Sequence, residues 1–249
     1  MIEIERIRYP KSALDSAPEA ERIFYLMIGQ LGNDLNYLTK LTTILLNDAS
    51  IGDVNRRANT SLTIYLVKTL AGRLYEGSKL LEGPVLKTVI SDYKLSDHAL
   101  DSLENIKRHF NKKSNIIKTI RNKFAFHTEE SFIREGYQQF PDDHVLTDYE
   151  SSKFYGHDLY YATELITVKA IAEAIGEKDW HDVPNTIARE VGQLALLFGH
   201  FISEYAATFR ERYLDSNETE RNKITIDDAP RIDEITIPFF CEPPKNWPE

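Results

Sequence analysis

Apolar residues recur at three- and four-residue steps over most of this chain, the spacing of helices with one buried face. From Ser16 the run Ser-Ala-Pro-Glu reads as a capping box with proline in the first turn; Phe24, Met27, Leu31, Leu35, Leu38 and Leu45 follow as one stripe. That predicts a long amphipathic helix. A second begins near Asp53, carries Leu62, Leu66, Leu70, Leu74 and Leu81, and stops at Gly83-Pro84. A short amphipathic segment covers Val85 to Tyr93. A third long helix starts at Ser96 or Asp97 and holds Leu103, Ile106, Phe110, Ile117, Ile120 and Phe124 on one stripe, interrupted only by Lys113.

After Thr128 a short acidic segment ends at Gly136, and the stretch to about Tyr160, rich in tyrosine, aspartate and single turn formers, predicts no regular element. Helical periodicity resumes from Tyr161 to Ile175 and ends at Gly176. It returns after Asp182 with Ile187, Val191, Leu194, Phe198, Phe201, Tyr205, Phe209 and Tyr213, a helix of roughly 30 residues. The tail from Lys223 alternates charged dipeptides with "ITI" and carries four prolines in its last twelve residues. It is expected to lie extended over the helices or to be partly disordered. The pattern as a whole predicts an all-α bundle of long antiparallel helices, one helical domain over residues 1–222 and an extended, partly irregular tail over 223–249.

Composition narrows the function classes. The chain of 249 residues is 42% hydrophobic, enough for a substantial core, and its net charge of −9 repels a polyanion on average. A nucleic-acid site must therefore be local. The single cysteine, Cys241, excludes an internal disulfide and a metal site built on several thiolates, which fits a reducing compartment and makes the cytoplasm the expected location. The N-terminal "MIEIERIRYP" is charged and alternating, and the longest apolar run, "LALLFGHFI", is broken by His200, so neither export nor a membrane span is expected. The histidines outside the stretch considered next (His98, His109, His144, His157, His181 and His200) show no i, i+4 or His-x-His spacing, which leaves a metal site unsupported. Neither a glycine-rich phosphate loop nor a serine nucleophile elbow is present.

One stretch invites a chemical reading: "TIRNKFAFHT", residues 119–128, which places Arg121 and Asn122 ahead of His127 with five residues between Arg and His. On one uninterrupted helix Arg121 and His127 would stand about 120° apart around the axis and roughly 9 Å apart along it, so they would not converge. Either the helix breaks around Ala125 to Thr128, where Thr128-Glu129-Glu130 suits a new cap, or the groups meet across a symmetric interface. Seven basic residues and no acid lie between Lys107 and Lys123: Lys107, Arg108, Lys112, Lys113, Lys118, Arg121 and Lys123. Such a stripe suits an RNA backbone or, equally, acids on neighbouring helices.

The stretch resembles the signature of the HEPN superfamily of helical proteins: Arg, four to six residues, then His, commonly with a polar residue after the Arg. Residues 61–81, "SLTIYLVKTLAGRLYEGSKLL", look like the second helix of its abortive-infection branch. The resemblance covers roughly residues 20–130, and the tail from Lys223 has no counterpart in it. It implies a metal-independent endoribonuclease of a toxin–antitoxin or phage-defence type, with no cofactor, two copies of the motif facing each other in a homodimer, RNA as substrate and an antitoxin protein as a further partner. In that reading Arg121 stabilises phosphate charge, His127 is the general acid or base and Asn122 positions. Lys112, Lys113, Lys118 and Lys123 hold RNA, and Arg73 and Glu76 support the site.

Other readings of the same residues remain open. His127 is in register with Ile120 and Phe124 and suits the end of a core face. Arg73 and Glu76 suit an intrahelical pair or contact with a neighbouring helix. Arg56-Arg57, at a helix start, fits a phosphate contact or simple exposure. Phe154-Tyr155 and Tyr160-Tyr161 suit base stacking or core filling. The rival function is a non-catalytic HEPN-like helical module that binds RNA, nucleotide or a protein partner.

Overall fold

The computed structural model describes residues 1–47, 52–113, 115–125, 129–151, 155–215 and 218–242. The all-α expectation holds: the chain is mostly helical, with one small two-stranded sheet. In order come β1 (Ile2–Arg8), α1 (Lys11–Asp15), α2 (Glu19–Asn47), α3 (Asp53–Leu80), α4 (Val85–Asp92), α5 (Asp97–Asn111) and α6 (Ile116–Ile120). A π-helical turn (Arg121–Ala125), α7 (Glu130–Gln138), α8 (Tyr161–Ile175), α9 (Val183–Phe209), a second π turn (Arg210–Leu214) and β2 (Glu220–Ile226) follow. Two compact units divide these elements, and α2, α3 and α9 each contribute to both.

The first unit comprises Met1–Tyr37, Arg73–Asn115 and Gly192–Arg231. Its core takes Phe24, Ile28, Leu31 and Leu35 from α2 and Phe198, Phe201, Tyr205 and Phe209 from α9. Phe24 meets Tyr205 edge-on with ring centroids 5.2 Å apart, and Tyr25 stacks on Phe209 at 4.1 Å. Gly77 of α3 lets the helices close in: a Cβ there would lie 2.7 Å from Leu31 and 3.0 Å from Phe198. Met27, expected on the buried stripe of α2, is exposed, and Ile28 takes the inward position.

Two local expectations in this unit are corrected. Ser16 does not cap α2, because its hydroxyl turns back to donate to the Ala13 carbonyl at 2.6 Å and closes the short α1. The third long helix is not continuous. Lys112 is extended (φ −62, ψ 141), and the His109 carbonyl accepts both the Lys112 amide at 3.3 Å and the side-chain amide of Asn115 at 2.9 Å, which closes the end of α5.

Sequence periodicity also missed the sheet. β1 and β2 pair antiparallel in full register, Ile2 opposite Ile226 through Arg8 opposite Glu220. Cross-strand ion pairs follow from that register: Arg8 with Glu220 at 3.1 Å, Glu5 with Arg221 at 3.0 Å and Glu3 with Lys223 at 3.4 Å. The alternating charge of the N-terminus is thus half of a complementary pattern.

The second unit comprises Leu38–Gly72, Ile116–Val191 and Ile232–Glu249. Ile64, Val67 and Leu70 of α3, Ile117 and Ile120 of α6, Ile171 of α8 and Ile187 of α9 fill its core. Helix α7 runs through Gly136, expected as its end, because the residue packs on α8: a Cβ would clash with the Ile166 carbonyl and lie 3.1 Å from the Ala170 methyl. Helix α8 does end at Gly176, in the left-handed conformation that glycine tolerates best (φ 72). In the segment for which no element was predicted, Tyr149 and Leu159 exchange backbone hydrogen bonds at 2.9 and 2.8 Å. Part of the tail docks beside them: the Phe240 ring lies 6.5 Å from that of Tyr149, and the Cys241 amide donates to His157 Nε2 at 3.2 Å.

Candidate functional site

Arg121, Asn122 and Lys123 sit on the first π turn, directly after α6, where the backbone widens and the 100° step of a regular helix no longer holds. Phe124 anchors the turn, buried, with its ring 5.3 Å from that of Phe132 on α7. Arg121 is half-exposed, and its Nη1 donates to the exposed Asn122 Oδ1 at 3.2 Å. Lys123 lays its ammonium over the Phe132 ring at 4.2 Å. Glu129 is extended (φ −78, ψ 130) and α7 opens at Glu130, so no continuous helix joins Arg121 to Glu130. The expected general acid or base, His127, lies outside the described residues, as does Thr128.

The basic stripe divides between the two units. Lys107, Arg108, Lys112 and Lys113 belong to the first and are exposed; Lys118, Arg121 and Lys123 belong to the second and are half-exposed. Among the described residues, no carboxylate pairs with Lys107, Arg108, Lys112, Lys113 or Lys123; Arg108 instead donates to Asn105. Arg73 is paired to Asp34 of α2, the neighbouring-helix contact weighed from sequence, while Glu76 is exposed. Among the described residues no three His, Cys, Asp or Glu side chains gather as a metal site, and no helix is long and apolar enough to cross a membrane.

Sequence reasoning passed over a second polar constellation, in the second unit. A cavity of about 340 Å³ is lined by Arg56, Arg57 and Ser61 of α3, Tyr161 and Glu164 of α8, and Trp180. An adjoining cavity of about 370 Å³ shares Arg56, Thr60, His181 and Pro184 with it. Arg57 is committed: it pairs with Asp53 at 3.1 Å, donates to the Tyr149 hydroxyl at 3.1 Å and lies 5.5 Å from the Tyr161 ring centre. The guanidinium of Arg56 has no carboxylate partner among the described residues. Glu164 is its counterpart in charge. Its Oε2 is buried and accepts no hydrogen bond, and burial pushes its carboxyl above the usual range against the pull of Lys68. Asp179 accepts the His181 amide at 2.9 Å, fixing the turn that sets His181 against Trp180 with centroids 3.7 Å apart.

The fold and these sites define an all-α protein with a half-exposed Arg121 beside an exposed Asn122 on a π turn and a polar cleft between α3 and α8. No family model, curated protein or solved structure matches the chain.

Proposed function

We propose that the protein is a metal-independent endoribonuclease of a toxin–antitoxin or phage-defence type, working as a homodimer in the cytoplasm. The observation that carries the reading is the Arg121–Asn122 hydrogen bond of 3.2 Å on a π turn, a few residues before His127. π turns interrupt regular helix geometry and are frequent at functional sites. The amide of Asn122 orients the planar guanidinium, a group whose charge suits phosphate oxygens.

The chemistry follows from those groups. A base removes the proton of the ribose 2′-hydroxyl, the 2′-oxygen bonds to phosphorus, the bond from phosphorus to the 5′-oxygen breaks, and the leaving oxygen takes a proton. His127 serves as the general acid or base in that sequence, and Arg121 neutralises the charge that builds on the phosphorane. Lys112, Lys113, Lys118 and Lys123 hold the RNA backbone. Lys107, Lys112, Lys113 and Lys123, which have no carboxylate partner among the described residues, support this, because a cation already paired would have to give up its partner to bind phosphate.

The test is cleavage of a labelled RNA in chelator. The wild type is expected to cut, a substrate with 2′-deoxy sugars to survive, and His127→Ala and Arg121→Ala to lose activity by about 10²-fold or more while staying folded. Uncut RNA with every substrate class tried, or a fully active His127→Ala, would overturn the reading. The net charge of −9 favours a second one, a non-catalytic helical module in which the same residues bind RNA, nucleotide or a protein partner.

A further inference from the structure

We propose that a second copy of this chain packs antiparallel along the exposed side of α2, with the two-fold axis passing between Gln30 and Asp34. The inference is drawn from this one helix and does not rest on the ribonuclease reading.

The outer side of α2 carries residues in the spacing of a helix-to-helix seam. Ile23, Met27, Gln30, Asp34, Tyr37 and Leu41 follow one another at steps of four, three, four, three and four, the alternation that keeps a narrow stripe against a partner helix over about 27 Å. Its four apolar members lie in solvent: Ile23 is 46% exposed, Met27 51%, Tyr37 62% and Leu41 39%, with Leu26 beside them at 48%. Single exposed apolar residues are ordinary, whereas a row of them marks an interaction surface.

Charge is missing from the same surface. From Ile23 to Tyr37 no exposed residue of α2 is charged, although 28% of the chain is. Two copies that each carry a net charge of −9 repel on average, so a face without charge is where they can approach closely. Asp34, the one acid of the stripe, is half-buried, paired to Arg73 of α3, and accepts the Gln30 side-chain amide at 3.1 Å.

The order of the stripe identifies the occupant as a second copy, because it reads alike in both directions: two apolar residues, two polar, two apolar. An antiparallel copy sets Ile23 opposite the partner's Leu41, Met27 opposite the partner's Tyr37 and Gln30 opposite the partner's Asp34. All six positions are then matched in kind. A parallel copy would lay each residue against itself and put two Asp34 carboxylates together at the centre, which like charge disfavours. The central polar pair also fixes the register against sliding.

Sedimentation equilibrium of the full-length protein tests this. The wild type is expected to have twice the mass of one chain at about 10 μM and above. Met27→Glu and Tyr37→Lys, both at exposed positions, are each expected to weaken the dimer about tenfold or more. Combined in one chain, they are expected to restore most of that loss: the antiparallel register brings the new acid of each copy to the new base of the other, while within a copy the two lie about 15 Å apart along the helix. Circular dichroism establishes that each variant is folded. His127→Ala is expected to associate as the wild type does, so a loss of cleavage and a loss of association are told apart. A wild type that stays monomeric to about 100 μM, an association untouched by Met27→Glu, or no recovery in the double variant would overturn the proposal.

Discussion

The phenol of Tyr93 donates a hydrogen bond of 2.5 Å to the buried carboxylate of Glu21, on the same oxygen that accepts from Tyr213 at 2.9 Å. The Tyr205 hydroxyl reaches the main-chain carbonyl of Glu21 at 3.4 Å, and the Arg212 guanidinium lies 5.1 Å from the centre of the Tyr93 ring. Burial first, and then the bond to Glu21, push the Tyr93 phenol well above its ordinary value. The Tyr93 and Tyr213 hydroxyls replace water around the buried carboxylate.

Tyr93→Phe keeps the ring and removes the shortest of those bonds, so it is expected to cost about 1–3 kcal/mol of unfolding free energy. Tyr213→Phe, nearer to solvent, should cost less. Urea denaturation of both variants checks the order, and an unaltered midpoint for Tyr93→Phe would show that the bond does not hold the carboxylate.

At Gly136 the close approach of α7 to α8 leaves no room for a methyl group. The neighbour is the Ile166 main-chain carbonyl, which cannot swing aside as a side chain would. Gly136→Ala gains helix propensity of about 1 kcal/mol, yet the overpacking of about 1–3 kcal/mol is expected to win and lower the melting temperature. A melting temperature equal to or above that of the wild type would mean the helices separate at little cost.

Glu164 gives the protein a pH dependence of defined sign. Its carboxyl titrates higher in the folded chain than its ordinary 4.5, so the folded state holds the proton more tightly than the unfolded state does. Stability from this group is complete below about 4.5 and is lost as pH rises through the raised folded value. Glu164→Gln abolishes that loss, so its advantage over the wild type should widen across that window. Urea midpoints measured from acid to neutral pH test this, and parallel curves would refute it.

Lys112 and Lys113 are exposed and bear directly on the proposed grip on RNA. Replacing both with Gln should weaken binding at low salt and make the slope of log K against log salt shallower by about 1.4, at about 0.7 per phosphate contact on a single strand. Fluorescence anisotropy across a salt series reads the slope directly. An unchanged slope would place these two lysines outside the interface.

Much of the helical order is legible in the sequence because its signals are local. The stop at Gly83-Pro84, the left-handed Gly176 and the start of α3 at Asp53 each depend on a few adjacent residues, and the core faces follow from spacing alone. Arg121 and Asn122 are legible as a pair for the same reason. Partnership is not local. The break between α5 and α6 rests on where the Asn115 amide reaches, and the strand pair rests on charges at Glu3 and Glu5 matched to Lys223 and Arg221, more than 200 residues away. Arg56 draws notice in the sequence as half of a dipeptide, but Glu164 is one acid among 39. Only its burial among the side chains of α3 and α8, without a hydrogen bond, distinguishes it. Periodicity determines which face of a helix turns inward, through the cost of leaving apolar surface in water. Which polar groups end up with partners and which without is decided by tertiary packing, because hydrogen bonds and ion pairs require particular atoms within about 3 Å, a condition no spacing along the chain specifies.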